Sequence, residues 1–247
     1  MSCSIDAHDV HLWLLDPRSP EADTLVDWLS ADELARAESF LFERDRILYR
    51  SARGLARTAL SVCAPHIAPA AWSFVTGTHG RPEVAAPECG LRFNVSHARD
   101  LVACVVTRDV DCGVDVDFIE VRAGLRSLAD GVLTIAEREA MASLPARAYA
   151  DRFFCHWTLK EAYSKARGLG LALPFEALEL DPLATPIALR VHPPVHDDPR
   201  SWQLEQRRVG DDHWLAIAIR RGRRPDYRVI EHRVPLRDRE PHRSRNP

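Results

Sequence analysis

The stretch from Phe153 to Gly170, FFCHWTLKEAYSKARGLG, constrains this chain more than any other. It has no proline, is rich in helix formers and reaches a glycine at 168 where a left-handed C-cap belongs, so it is predicted to be a helix. Phe154, Trp157, Glu161 and Lys165 recur at helical spacing, which puts an aromatic pair and a charged pair on one face. Glu161 and Lys165 are four apart and close enough to pair. Such a pair on a solvated helix face is worth about 0.3–0.5 kcal/mol. Lysine usage argues for more than that. Lys160 and Lys165 are the only lysines in 247 residues, and arginine is used everywhere else. A compact ammonium can stand as a point charge on a phosphate and can pass a proton, which a guanidinium does not do.

The length allows one large or two small domains with a real core. With 46% hydrophobic and 28% charged residues the composition is that of a soluble globular protein. No apolar run has the length of a membrane span, and the opening MSCSIDAHDVHLW lacks a basic region followed by an apolar one. Cysteines at 3, 63, 89, 104, 112 and 155 form no CxxC pair, a pattern of reduced thiols in a cytoplasm. From Arg220 onward ten arginines face four acids, a net of +6, which leaves −9 for the rest of a chain whose total is −3. That tail has few large apolar residues after Tyr227 and Val229 and no accompanying nucleic-acid motif. Residues 223–247 are therefore expected to be a disordered basic extension, with no nucleic-acid partner.

Taken in order, a strand is predicted at Val10–Leu15, then helices from Leu25 through Leu34 to Phe42, with Ser30 as N-cap and Asp32 and Glu33 in the first turn. Asp45–Cys63 is a second amphipathic helix whose polar side carries Arg46, Arg50, Arg53 and Arg57, either a solvated face or a phosphate-binding one. Trp72–Arg81 is strand-like and closes on a Thr78-His-Gly-Arg-Pro82 turn with a basic residue at its tip. Arg92–Ser96 alternates Phe93 and Val95 against Asn94 and Ser96, with His97 at its end. Leu101–Thr107 and Cys112–Phe118 read as two strands of a hairpin turned at 108–111. Asp115 and Asp117 share one face of the second, with Val114 and Val116 on the other. Ala136–Ser143 is helical, followed by the Phe153–Gly170 helix. Strands are expected at Leu178–Leu180, Ile187–Val191, Trp202–Arg207 and His213–Arg220. His192 and His196 lie in a loop with no third ligand, and read as surface residues. The mixture makes the fold class α+β.

Two acids on one strand face repel unless solvated or bridged by a cation. Asp115, Asp117 and the helical Glu161 make an oxygen set suited to Mg²⁺, which keeps positions free for water or phosphate. With a strand-end histidine, two lysines and arginine-bearing helices around it, that set fits a diphosphate-bearing substrate and phosphoryl-group chemistry.

Three segments then fall in a familiar order. Phe93-Asn-Val-Ser-His97, Gly113-Val-Asp-Val-Asp117 and Trp157-Thr-Leu-Lys-Glu-Ala-Tyr-Ser-Lys165 resemble the signatures of the phosphopantetheinyl transferases of the surfactin-synthetase-activating type. The likeness spans about residues 92–170, with fainter similarity over 29–81. It implies a monomer of two similar α+β halves, at 1–110 and 111–222, with coenzyme A bound between them. It also implies the reaction, transfer of phosphopantetheine from coenzyme A to a serine of an acyl or peptidyl carrier protein, releasing adenosine 3′,5′-bisphosphate.

By position, the resemblance implies that Asp115, Asp117 and Glu161 hold Mg²⁺ on the diphosphate of coenzyme A. Glu161, or a water on the metal, would take the serine proton, and Lys165 would neutralise or protonate the leaving phosphate. Lys160 would share in binding coenzyme A, Asn94, Ser96 and His97 would hold the 3′-phosphate side, and Gly80, Arg81 and Pro82 would pass near the nucleotide. Arg36 falls where the family places a basic residue on that phosphate. Glu33 and Leu48 stand where some members have basic residues, so Arg46, Arg50 or Arg53 would take over those contacts. Asp117 replaces a commoner glutamate. Two other readings stand beside it: a Mg²⁺-dependent nucleotide phosphohydrolase, which would use the same acids and lysines, and a non-catalytic module that binds coenzyme A or a carrier, which would not need the acid triad.

Overall fold

A computed structural model describes residues 5–234. The chain opens with β1 (Asp9–Leu15), the short α1 (Pro20–Thr24), α2 (Ala31–Glu38) and the 21-residue α3 (Glu43–Cys63). A small hairpin of β2 (Ser73–Thr76) and β3 (Pro82–Ala86) leads to β4 (Leu91–Ala98), β5 (Leu101–Arg108) and β6 (Cys112–Phe118). Helices α4 (Leu125–Ala129), α5 (Ile135–Met141) and the 22-residue α6 (Ala146–Arg167) follow. The hairpin β7 (Leu178–Asp181) and β8 (Ala188–Val191), then β9 (Trp202–Val209), β10 (His213–Arg220) and β11 (Arg228–Arg233) complete it.

Two larger sheets, ordered β11-β1-β5-β4 and β6-β10-β9, are stacked between α3 and α6. Strand alternation builds the layers. On β1, Trp13 and Leu15 pack with Leu55, Leu60 and other residues of α3, whereas Val10, Leu12 and Leu14 meet the second sheet. Val102, Cys104 and Val106 of β5 turn to α3, and Leu101, Ala103 and Val105 to the second sheet. Val114 and Val116 of β6 and Leu215, Ile217 and Ile219 of β10 answer from the other side. A strand covered on both faces is apolar without interruption, which accounts for LVACVVT. On its far side the second sheet turns Ala216 and Ala218 to α6, whose buried residues run all the way round the helix. No helix among the described residues is long and apolar enough to cross a membrane.

The expected elements are present, with two corrections. Strands β5 and β6 are not a hairpin. β5 is a central strand with both edges taken by β1 and β4, so the turn at 109–111 carries the chain into the other sheet, where β6 pairs with β10. The second correction concerns the basic extension. Tyr227 is buried, exchanging two backbone hydrogen bonds with the Gln203 side chain, and β11 adds to β1 as a parallel strand. Arg228 grips Asp9 with two bonds of 3.0 and 2.8 Å. One buried aromatic and a strand-long ladder suffice to anchor a segment whose composition is otherwise that of a tail. The rest of the expected extension, 235–247, lies outside the described residues.

Among the described glycines, Gly113 leaves the least room for a side chain. A Cβ placed there would lie 2.1 Å from the Ala162 carbonyl oxygen and 2.5 Å from the Ala166 nitrogen. Both neighbours are helix backbone and cannot step aside. Gly113→Ala should therefore destabilise the fold by at least the roughly 1–3 kcal/mol of an overpacked core. Unchanged denaturant stability would mean that the strand and helix are not in contact there. A chain ending at Arg224 loses Tyr227 and β11, and its melting temperature should fall on the order of 10 °C. Melting like the intact chain would return the segment to a dispensable extension.

Candidate active site

The contact at Gly113 sets the register of the site. Asp115 and Asp117 are the next residues on the same face of β6, so both carboxylates turn toward α6. Glu161 and Lys165 look out from consecutive turns of that helix. Gly168, at φ 69°, ends it in the left-handed cap that the sequence predicted, with Leu169 N–H donating to the Ser164 carbonyl. Lys165 does not pair along its own helix with Glu161. Its Nζ crosses to Asp115 Oδ1 at 2.6 Å and donates to Ser96 Oγ at 2.9 Å.

Strand β4 supplies the third side. It lies against β6 without a backbone ladder, and its side chains take the place of one. Asn94 Oδ1 accepts from Val114 N–H at 2.9 Å, and Ser96 Oγ from Val116 N–H at 3.3 Å. The Ser96 hydroxyl donates to Asp115 Oδ1 at 2.8 Å.

Beside this junction opens a cleft of about 540 Å³. Gly80, Arg81, Pro82 and Asn94 line one side, and Glu161, Lys165 and the loop of residues 168–172 the other. Arg81 Nη1 spans it, donating to the Lys165 and Ala166 carbonyls at 3.1 and 3.0 Å. The positive charge thus meets the negative end of the helix. The loop after Gly168, with His79 and Val95, also lines the cleft, and only its glycines mark it in sequence.

Like charges and burial shape the acids. Burial, then the charge of Asp115, pushes the Asp117 carboxyl up to about 6. The same two causes push Glu161 up to about 7, with Lys165 pulling the other way. His97 stands exposed on the opposite strand face from Ser96 and is not among the residues lining the cleft. The donors suit a hard divalent cation in kind: three carboxylates drawn together, with Asp115 Oδ2 buried and without a hydrogen-bond partner. They are not drawn up as a cage. Among the described residues no group of three or more His, Cys, Asp or Glu side chains is arranged to hold a metal ion, and Lys165 lies on Asp115.

Other residues expected at the site lie elsewhere. Lys160 is fully buried away from the cleft. Its Nζ donates to the Val132 carbonyl (2.8 Å), the Phe175 carbonyl (3.2 Å) and Glu137 Oε2 (2.5 Å), which uses all three ammonium protons. Its restriction to lysine is structural, not a matter of binding coenzyme A. Glu137 also closes a capping box with Thr134 and accepts from Leu180 N–H, tying α5, α6 and β7 together. Arg36 is exposed on α2, over the Phe40 ring, and outside the cleft lining. Arg46 and Arg50 are paired with Glu43 and Glu38, and Arg53 is 3.9 Å from Glu33. Arg57 is buried, bonded to Glu33 and to the Pro69 and Trp72 carbonyls. Glu33 is thus occupied as cap and counter-ion, and Leu48 belongs to the core.

Burial opposes ionisation of Glu137, yet the His156 and Lys160 contacts outweigh it and hold its pKa at about 2. Its ordinary value is 4.5, so the stabilisation is whole above that pH and is lost as pH falls through about 2. Lys160→Met should destabilise the fold by about 3–5 kcal/mol, because it takes the ammonium partner from a buried carboxylate. Lys160→Met with Glu137→Gln should recover part of that loss and weaken the acid dependence of stability. A Lys160 variant as stable as the parent would put the lysine outside the core.

Residues 111–218 match the family model of the 4′-phosphopantetheinyl transferase superfamily. The chain is 33% identical over 216 residues to the 4′-phosphopantetheinyl transferase HetI of Nostoc sp. (strain PCC 7120 / SAG 25.82 / UTEX 2576), covering 85% of this chain and 87% of that one. It is 26% identical over 235 residues to the L-aminoadipate-semialdehyde dehydrogenase-phosphopantetheinyl transferase of Mus musculus, covering 85% and 70%. A holo-(acyl-carrier-protein) synthase from Bacillus anthracis str. Ames, solved in complex with CoA (3′,5′-ADP), aligns with a TM-score of 0.37 at 21% identity, over 44% of this chain and 95% of that one. The chain belongs to the 4′-phosphopantetheinyl transferase superfamily.

Proposed function

We propose that this chain moves the 4′-phosphopantetheine group of coenzyme A onto a serine of an acyl or peptidyl carrier protein. The P–O bond to the adenosine 3′,5′-bisphosphate breaks, the serine oxygen takes its place on phosphorus, and the serine proton goes to Glu161. One observation carries the reading: Lys165, Asp115 and Glu161 converge at the side of a cleft that also holds Gly80, Arg81, Pro82 and Asn94. Lys165 is placed to meet the charge that grows on the departing phosphate, and Glu161 faces the same space as a base for the hydroxyl. Asp115, Asp117 and Glu161 would hold Mg²⁺, which when bound would neutralise the diphosphate oxygens. A diphosphate entering the cleft offers Lys165 an alternative to Asp115, and so frees that carboxylate. The two long helices, α3 packed on β1, β5 and β4 and α6 on β6 and β10, support two similar halves over 1–110 and 111–222, in the surfactin-synthetase-activating form of the family.

The test is the mass of an apo carrier protein after incubation with this chain, coenzyme A and Mg²⁺. A gain of one phosphopantetheine group is expected, removed by excess chelator. Phosphate products in solution with the carrier unchanged would mean a phosphohydrolase, and no turnover a binding module. Lys165→Arg keeps the charge but replaces a compact donor by a broad planar one. The loading rate should fall by a factor of about ten to a thousand, as for one misplaced electrostatic donor. Coenzyme A affinity by calorimetry should fall less, since the charge develops during transfer. A variant that loads at the parent rate would remove Lys165 from the chemistry.

A further inference from the structure

We propose that Asp197 is a positioning residue for this transfer, its carboxylate holding the last turn of α6 so that Lys165 leaves the helix at a fixed place. The inference rests on the transfer reading above. Lys165 stands in the final turn of a helix that ends at Arg167. A helix end has carbonyls without partners inside the helix, and it opens more readily than the middle. Residues two before and two after Lys165 leave the helix on its far side, about 200° away. These are Tyr163 and Arg167, and both turn to Asp197. The Tyr163 hydroxyl donates to Asp197 Oδ2 at 2.7 Å and accepts from Arg167 Nη1 at 3.3 Å. Arg167 Nε lies 3.7 Å from the same carboxylate oxygen.

The carboxylate is itself fixed from outside the helix. It lies in the loop between β8 and β9, where Oδ2 also accepts from Trp202 Nε1 at 3.0 Å and Oδ1 from Asp198 N–H at 2.9 Å. Two residues earlier Val195 is buried in the core beside α6, and His192 N–H ties the start of the loop to the Ala177 carbonyl at 2.8 Å. Tyr163 is 1% exposed, and its ring meets that of Trp202 edge-on at 4.7 Å. Burial, then the bond to Asp197, holds the phenol above its usual range, so it remains a donor. The same turn carries one wall of the cleft. Ser164 Oγ donates to the Gly170 carbonyl at 2.5 Å, and the Ser164 carbonyl accepts from Leu169 N–H. A tie behind the helix acts on the backbone of Lys165. It therefore serves the lysine whether its ammonium meets Asp115 or a phosphate. A misplacement of about 1 Å at a reacting group costs about a hundredfold in rate.

The experiment compares Asp197→Ala with the parent and makes the same change in the Lys165→Arg chain. Carrier loading is followed by mass, and amide hydrogen exchange is followed along α6 in the free protein. Asp197→Ala should lower kcat by about ten- to a hundredfold in the parent. In the Lys165→Arg chain, whose donor is already misplaced, the further change should be less than about threefold. Exchange over residues 163–170 should rise on the order of tenfold, with residues 150–160 as in the parent. An equal fall in rate in both backgrounds would make Asp197 a general stabiliser and overturn the proposal. Loading at the parent rate would overturn it too, as would unchanged exchange at the helix end. Should Asp197→Ala melt well below the parent, Tyr163→Phe carries the same comparisons, since it keeps the buried ring and loses only the hydroxyl. A parent chain that loads no carrier would bring down the transfer reading and this inference with it. Unchanged exchange in variants of a parent that loads well would bring down Asp197 alone.

Discussion

Backbone against backbone, with no side chain between, is the contact on which the site depends. At Gly113 strand β6 lies so close to α6 that a single methyl group would strike the Ala162 carbonyl. A side chain there would push the helix outward, and Lys165 would no longer span the gap to Asp115. The glycine thus fixes the layer spacing, and the layer spacing fixes an ion pair of 2.6 Å. The period-2 geometry of the strand does the rest, because it returns Asp115 and Asp117 to the face that Gly113 opened.

The second requirement is that the two sheets stay in register where they meet the site. Their apolar faces bury Leu12, Val105, Val116 and Ile217 against one another, but apolar packing is non-directional and would tolerate a slip. Direction comes from β4, whose Asn94 and Ser96 satisfy backbone N–H groups of β6 that no strand pairs on that side. Arg81 adds a third tie at the end of α6, joining the β2–β3 turn to the last carbonyls of the helix. Each of these residues does structural work in the place where the resemblance put a ligand contact. Arg81 and Asn94 also line the cleft, so the two roles are compatible there.

Local signals in the sequence were read well because their causes are local. The N-cap at Ser30, the left-handed glycine at 168 and the shared face of Asp115 and Asp117 each need only a few residues of chain. Pairing partners were not legible in the same way. Residues 101–118 have the pattern of a hairpin, yet β5 finds both its neighbours elsewhere, and nothing in the turn announces that the next strand belongs to another sheet. For the C-terminal segment composition outweighed two residues, Tyr227 and Val229, whose apolar surface was enough to bring β11 onto β1. The arginines of α3 were ambiguous from spacing alone, and their acids come from α2 or from its own first turn.

The two lysines show how one compositional signal can have two physical causes. Both positions call for a compact ammonium, and for different reasons. At Lys160 three acceptors surround a fully buried Nζ, and a guanidinium would neither fit the space nor direct its donors to two carbonyls and a carboxylate. At Lys165 the ammonium meets one carboxylate oxygen and one hydroxyl at the edge of a cleft. Both side chains leave the same helix five residues apart, so they point to different neighbours: Lys160 to the α5 and β7 side, Lys165 to β6 and β4. The buried lysine holds α6 in the body of the protein, and that fixed helix is what makes the position of the other one definite.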